Sequence, residues 1–241
     1  MNCSAAPLTV TDKQGRSIDI ELVAVSGESV TFRRQGDAKT FTLAISSFAD
    51  DSQKLIRAKA ADIPAALPKI EANVVIGKRR KKEDSWYMET QEVTSTVKLT
   101  NADPTNASPA LTGKIIFLGQ EQRTPDLLCV LSTQSFDATV EATKTFSFET
   151  KPFFTTYDSD NKGQGNVGGY QYYAYVLIVK DAAGKIILDE TSNGTARLAI
   201  KNKPKLLEEL YKHPDGAQLT SKLESTGQKV ILPRLGRAMT P

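Results

Sequence analysis

Turn residues recur every eight to ten positions through the first 46 residues of this chain, and this spacing constrains the fold more than any other feature. Clusters such as Asp12-Lys13-Gln14-Gly15 and Gln35-Gly36-Asp37 separate short runs that are rich in β-branched residues. Little room for a helix remains between such turns, so consecutive strands pair as a meander and curl into a small barrel. The predicted strands cover residues 9–11, 18–25, 29–34 and 40–45.

A short helix is predicted to close this first module. Ser47 and Asp50, three positions apart, form a pattern like a capping box, and apolar residues follow at helical spacing. Residues 61–68 then carry two prolines, which stop a helix and favour extended backbone. We therefore assign residues 8–60 to a small β-barrel plus helix and residues 61–68 to a linker.

Longer strands follow the linker and predict a β-sandwich over residues 69–202. Tyr170 to Lys180 and Lys185 to Glu190 predict a hairpin, because Gly184 between them tolerates the positive φ of a tight turn. The predicted strands cover residues 70–77, 87–100, 113–119, 127–133, 145–150, 169–181, 185–191 and 196–200.

The region from 203 to 241 is predicted to be a short helix and a C-terminal tail. The helix would begin at Pro204 and stop at the turn that starts with His213. Val230, Ile231 and Leu232 would suit an added edge strand, whereas the basic end equally suits a tail, and both alternatives stay open.

Charge and hydropathy exclude several classes of protein. A formal net charge of +3 over 241 residues is too weak a field to indicate nucleic acid or a membrane surface. The longest apolar runs fall far short of the roughly 20 residues that cross a bilayer, so no transmembrane segment is expected. The first residues lack a secretory signal, although a chain whose signal had been removed would begin similarly, so the compartment stays open.

The residues that usually carry catalysis or metal binding are scarce. His213 is the only histidine, which excludes Ser-His-Asp triads and His-rich metal sites, and we expect it as a solvated, partly cationic ring at a helix end. Cys3 and Cys129 are too few for a disulfide framework or a structural zinc site. We therefore predict no enzyme, no cofactor and no metal, with a hydrolase built from Ser, Asp and Lys as the alternative.

Two glycine-rich motifs match the sequence pattern of a ligand-binding loop but lack the neighbouring residues or elements that such a loop requires. Asp158 to Gly163 begins like a calcium loop, but Lys162 stands where an oxygen ligand is needed. The segment from Gly163 to Gly168 matches the pattern GxGxxG, but it does not lie in the βαβ unit that a dinucleotide site requires. A polar loop is the expectation for both.

A basic run is the sharpest charge feature: Lys78, Arg79, Arg80, Lys81 and Lys82. We expect these residues in a solvated hairpin loop at the end of a strand. The alternative is an anion site for phosphate, acidic polymer or anionic lipid.

A tyrosine cluster is the second candidate binding feature: Tyr170, Tyr172, Tyr173 and Tyr175. Strand alternation predicts Tyr172 on one face of the sheet and Tyr173 with Tyr175 on the other, one of these faces lying away from the core. Tyrosines on that face would be interface anchors, while simple packing in a strand is an equal alternative.

The first module resembles the Sla-homology domain, an Src-homology-three-like barrel of endocytic adaptors that also occurs in planctomycete and verrucomicrobial envelope proteins. The resemblance rests on the segments 11–16, 21–32, 41–43 and 46–51. In such bacterial proteins an immunoglobulin-like sandwich often follows, and the segments 146–150 and 168–169 are similar to its second half. The eukaryotic module binds short Asn-Pro-Phe-x-Asp peptides, so the resemblance implies protein recognition.

The combined expectation is a mainly β binding protein. By analogy with immunoglobulin-like domains of bacterial surfaces, it would be associated with the cell envelope or with pili. Its expected partner is a protein or peptide, or a further copy of itself. The rival is a structural subunit whose sandwiches pair edge to edge.

Overall fold

The protein divides into two compact units, residues 1–68 and 69–241. Its computed structural model describes residues 7–26, 28–37, 39–60, 68–82, 87–160, 165 and 167–232, without the side chains of Ser26, Lys81 and Lys82. The linker predicted at 61–68 lies outside the described residues except for Pro68.

The first unit contains the predicted meander. Four antiparallel strands follow one another in the order β1-β2-β3-β4. Their bounds are Leu8–Thr11 for β1, Ser17–Ser26 for β2, Ser29–Arg34 for β3 and Thr40–Ala44 for β4. All four predicted strands are therefore confirmed, each to within a residue or two.

The chain after β4 returns to β1 and curls the sheet into a half-barrel. Asp12 forms an isolated bridge with Phe48, and the N–H of Ala49 donates to the carbonyl of Thr11 at 2.9 Å. Helix α1, Asp50–Ala60, then covers the open side with Ile56, which is fully buried. The capping prediction is wrong in detail, because Ser47 belongs to a 3₁₀ turn and α1 begins only at Asp50.

The second unit contains ten strands and two helices within the described residues. The strands are Ile70–Lys82 (β5), Met88–Asn101 (β6), Leu111–Glu121 (β7), Leu127–Ala138 (β8), Thr145–Glu149 (β9), Phe153–Asp158 (β10), Tyr170–Lys180 (β11), Ile186–Thr191 (β12), Ala217–Thr220 (β13) and Ser225–Lys229 (β14). The helices are Gly194–Asn202 (α2) and Lys205–Lys212 (α3).

These strands form two antiparallel sheets. In the front sheet, β6 pairs with β5 along one side and with β9 and then β10 along the other. The central sheet has the order β12-β11-β7-β8-β13-β14. The predicted hairpin of β11 and β12 is confirmed, and Gly184 in its turn has φ +78°.

The central sheet is buried on both faces. Along β7, Ile115 and Phe117 pack towards the front sheet, whereas Ile116 and Leu118 pack towards α2 and α3. Strands covered on both faces are continuous apolar runs, which explains the uninterrupted buried stretch from Ala174 to Val179 in β11. The second unit is therefore a sandwich with a third, helical layer.

Two polar contacts fasten the helical layer to the central sheet. Nζ of Lys114 donates to the carbonyl of Tyr211 at 2.6 Å, which satisfies a free carbonyl at the end of α3. Lys180 forms a salt bridge of 2.7 Å with Glu208 and lies 4.1 Å from the ring centroid of Tyr211.

The strand predicted at 196–200 is wrong, since these residues form α2. The side chain of Asn193 accepts a hydrogen bond from the N–H of Ala196 at 3.0 Å and caps the helix. Ala196 and Ile200 are buried four residues apart, a spacing that fits one helix face as well as one strand face.

The end of the sandwich is also corrected. It does not stop at 202, because β13 and β14 extend the central sheet beyond the predicted helix, which is confirmed as α3. Val230 to Leu232, which suited an edge strand, lie just after β14 instead.

Replacement of Phe117 by alanine tests the central packing. The ring is fully buried and lies 4.8 Å from that of Phe153, so Phe117→Ala should lower the free energy of unfolding of the second unit by about 3–5 kcal/mol. All seven tyrosines belong to this unit, so tyrosine fluorescence during urea denaturation reports on it alone. Val75→Ala is the control, because Val75 is 55% exposed and its loss should change the free energy of unfolding by less than about 0.5 kcal/mol. If the two substitutions lowered the free energy of unfolding equally, the burial of Phe117 in the core would be contradicted.

Candidate binding groove

A groove of about 530 Å³ opens on the half-barrel of the first unit. Its apolar floor is made of Ile18, Phe32, Phe41, Leu43 and Phe48. A volume of this size lies within the range of ordinary ligand sites.

Three aromatic rings give the floor its shape. Phe32 and Phe41 are directly opposite each other on β3 and β4, and their rings stack with centroids 5.9 Å apart. Phe48 meets Phe32 edge to face at 6.0 Å. Phe32 and Phe48 are almost fully buried, while Phe41 is half-buried and Leu43 is 43% exposed, so the last two offer their side chains to a ligand.

The rim of the groove carries more positive than negative charge. The guanidinium of Arg34 lies 4.9 Å from the ring centroid of Phe41 and donates from Nε to Asp37 at 3.0 Å and from Nη2 at 2.5 Å. This pair uses two of the five N–H donors of the guanidinium and leaves the others for a ligand. Lys13 and Arg16 lie on the same rim.

A tight turn holds the second arginine. The carboxylate of Asp12 accepts hydrogen bonds from the backbone N–H of Gln14 at 2.8 Å and of Arg16 at 2.9 Å, and from Nε of Arg16 at 2.8 Å. Gly15 has φ +82°, a conformation that closes the turn and that residues with a side chain rarely adopt. The backbone thus presents Lys13 and Arg16 at a fixed place beside the floor.

Both rim carboxylates stay ionised to unusually low pH. The hydrogen bond from Arg34 lowers the pKa of Asp37, and the backbone N–H of Arg16 lowers the pKa of Asp12. A carboxyl group with a lowered pKa stabilises the fold above its ordinary pKa, and this contribution disappears as the pH falls through the lowered value. The two carboxylates therefore keep their negative charge around neutral pH.

The groove was missed by the sequence analysis because it depends on strand register. Only pairing of β3 with β4 brings Phe32 and Phe41 together. The available signal was that both phenylalanines lie about equally far from the turn between their strands, which predicts a cross-strand pair.

The basic run lies in a strand, and the hairpin-loop prediction is wrong. Lys78 to Lys82 form the last part of β5, in unbroken register with β6. Arg80 reaches Glu89 at 3.7 Å, and Nζ of Lys78 lies 5.5 Å from the ring centroid of Tyr172. The strand extends this far because β6 supplies a partner for every one of its residues.

The tyrosine cluster is packed, and neither face of its strand lies away from the core. A register shift between Tyr172 and Ala174 reverses the expected alternation, so Tyr170, Tyr172 and Tyr175 all face the front sheet and Tyr173 packs towards the helices. Burial raises the pKa of Tyr172 to about 12. These side chains therefore stabilise the interior in the free protein.

The other candidate residues have structural surroundings. His213 ends α3, and burial lowers its pKa, so the expectation of a solvated, partly cationic ring is wrong. Burial raises the pKa of the Cys129 thiol to about 12. Asp158 is 1% exposed and accepts a hydrogen bond from the N–H of Val167 at 2.9 Å, which fixes Val167 beside the end of β10.

The structure describes only part of the two motifs at 158–168. Residues 161–164 and 166 lie outside the described residues, and with them most of both motifs. Among the residues that are described, no three His, Cys, Asp or Glu side chains come together as a metal site. Likewise, none of the helices in the described part is long and apolar enough to span a bilayer.

Comparisons with known proteins add little to this geometry. The sequence matches no protein-family model and no curated protein. Similar solved structures include a protein from Akkermansia muciniphila, at 11% identity and a TM-score of 0.24 over 52% of this chain and 72% of that one. The Northeast Structural Genomics Consortium target SoR45 is similar at 11% identity and a TM-score of 0.25 over 51% and 84%.

Loss of Arg34 tests the electrostatics of the rim. Because the guanidinium is what lowers the pKa of Asp37, Arg34→Ala should raise that pKa towards its ordinary value of 3.8. Asp103 is the matched control, since backbone N–H groups of Thr105 and Asn106 lower its pKa to about 2 without an arginine. Carboxyl titration by NMR measures both groups. If the pKa of Asp37 stayed as unchanged as that of Asp103, the ion pair between Arg34 and Asp37 would be contradicted.

Proposed function

We propose that this protein is a non-catalytic binding protein, and that the groove of its first unit takes an extended peptide segment of a partner protein. The observation that carries the proposal is the combination of an aromatic floor with a rim of three cations in one groove. Such a surface suits a peptide that places an apolar side chain beside a carboxylate.

The two halves of the groove have separate roles in this proposal. Phe41 and Leu43 contact the apolar side chain of the peptide, where burial of a large side chain contributes about 1.5–3 kcal/mol. Arg34, with donors left over from Asp37, binds the carboxylate and fixes the direction of the chain. The stacked ring of Phe41 holds the guanidinium in place.

The resemblance to the Sla-homology domain supports the same ligand chemistry. An Asn-Pro-Phe-x-Asp peptide carries one aromatic side chain and one carboxylate, which are the two groups that this groove would accept. Location in the cell envelope is the further expectation from that resemblance, and a pilus-associated role is part of the same proposal.

Titration with a labelled Asn-Pro-Phe-x-Asp peptide tests the groove, with fluorescence anisotropy as the readout on the full chain. Leu43→Ala and Arg34→Ala should each weaken binding about tenfold, because each removes one of the two contacts. A peptide with alanine for its phenylalanine, and another with asparagine for its aspartate, should lose affinity to a similar extent.

Val23→Ala is the matched control, because Val23 is 49% exposed in the same unit and does not line the groove. Its affinity should equal that of the unchanged protein. Binding that survives both groove substitutions would reject the groove as the site. Cleavage of the peptide by the unchanged protein would reject the non-catalytic role.

A further inference from the structure

The outer edge of β5 is an unpaired edge of the front sheet among the residues that the structure describes. The strand is 13 residues long, Ile70–Lys82, and pairs with β6 over its whole length without a register shift. Within the described part of the chain, no strand pairs with its other side. Long regular edges of this kind are templates for a further strand, and natural proteins usually interrupt or cover them.

The backbone groups that point outward can be assigned from the hydrogen-bond pattern. The N–H of Ala102 donates to the carbonyl of Lys69 at 2.9 Å, so these two residues form a hydrogen-bonded pair at the start of the ladder. Such pairs alternate with non-hydrogen-bonded ones along an antiparallel ladder. The N–H and C=O groups that point away from β6 are therefore those of Ala72, Val74, Ile76, Lys78 and Arg80.

The same edge carries a high density of positive charge. Lys78, Arg79 and Arg80 are exposed, and the strand continues through Lys81 and Lys82. Among the described residues, Arg80 is paired with Glu89 at 3.7 Å, while Lys78 and Arg79 form no salt bridge. The basic half of the edge therefore has cations available to a partner.

We propose that the outer edge of β5 binds an extended acidic segment of a partner protein, which adds to the front sheet as a further strand. The unpaired N–H and C=O groups require a peptide backbone opposite them, which lipids and sulfated polysaccharides do not have. The cations repel basic strands and favour acidic ones. This site lies in the second unit and is independent of the groove.

A second copy of this chain is a poorer fit to the edge. In a centred antiparallel pair, residues 78–82 of one copy would face residues 70–74 of the other, and that segment contains a single acid, Glu71. A parallel pair would place the two basic runs side by side. Charge thus favours a foreign acidic strand.

A peptide of alternating valine and glutamate is the probe, added to the full chain and followed by NMR. Its addition should shift the amides of Ala72, Val74, Ile76 and Lys78. The same peptide with every backbone nitrogen methylated keeps its charge but cannot donate hydrogen bonds, and a peptide of valine and glutamine keeps its backbone but loses its charge. Each should bind at least about tenfold more weakly.

Arg79→Gln and Lys98→Gln form a matched pair of variants. Both residues are exposed, both side chains lie on the outer face of the front sheet, and each change removes one positive charge. Lys98 belongs to β6, which has strand partners on both sides, so only Arg79→Gln should weaken the peptide, by about fivefold. Folding of both variants is checked by circular dichroism.

Three results would overturn the proposal. If the methylated peptide bound as tightly as the unmodified one, the basic run would bind peptides by charge alone, without addition of a strand. If the glutamine peptide bound as tightly as the glutamate peptide, charge would have no role in the binding. Binding of no peptide, with concentration-dependent association of the chain itself, would make the edge a contact between copies. None of these results bears on the groove, because Leu43 and Arg34 lie in the other unit.

Discussion

Burial of the central sheet on both faces is the constraint on which the second unit depends. Successive side chains of β7 point alternately to the front sheet and to the helices, so Phe117 and Leu118 stabilise two different interfaces from adjacent positions. Helices α2 and α3 cover a face that would otherwise expose Val176 and Ile178 to water. A third layer is thus a requirement of the apolar runs in the sequence.

This constraint also removes the two faces of the central sheet as surfaces for the proposed partners. With both faces of the central sheet covered, Tyr175 is buried, and Tyr170, Tyr172 and Tyr173 are partly buried against the layers that cover the sheet. Both sites that we propose for recognition lie outside that sheet: the groove on the half-barrel and the unpaired edge of β5. The two differ in chemistry, since the groove offers aromatic rings with Arg34, whereas the edge offers backbone groups with Lys78 and Arg79.

Elements set by local signals could be predicted from the sequence, and those set by long-range contacts could not. The hairpin around Gly184 and the meander of the first unit follow from turn residues and alternation. The pattern at 196–200 predicts a strand as readily as helix α2, because Ala196 and Ile200 satisfy both periods, and only the cap at Asn193 decides between them. The bulge after Tyr172 and the groove depend on register against neighbouring strands, which local pattern does not encode.

Hydrogen exchange along β5 in the free, full chain tests the central claim most directly, that the central sheet is covered on both faces while the front sheet is unpaired at this edge. The account predicts alternation, with fast exchange at Ala72, Val74 and Ile76 and slow exchange at Asn73 and Val75, whose N–H groups pair with β6. Uniformly slow exchange along the strand would show that its edge is covered and would contradict the account.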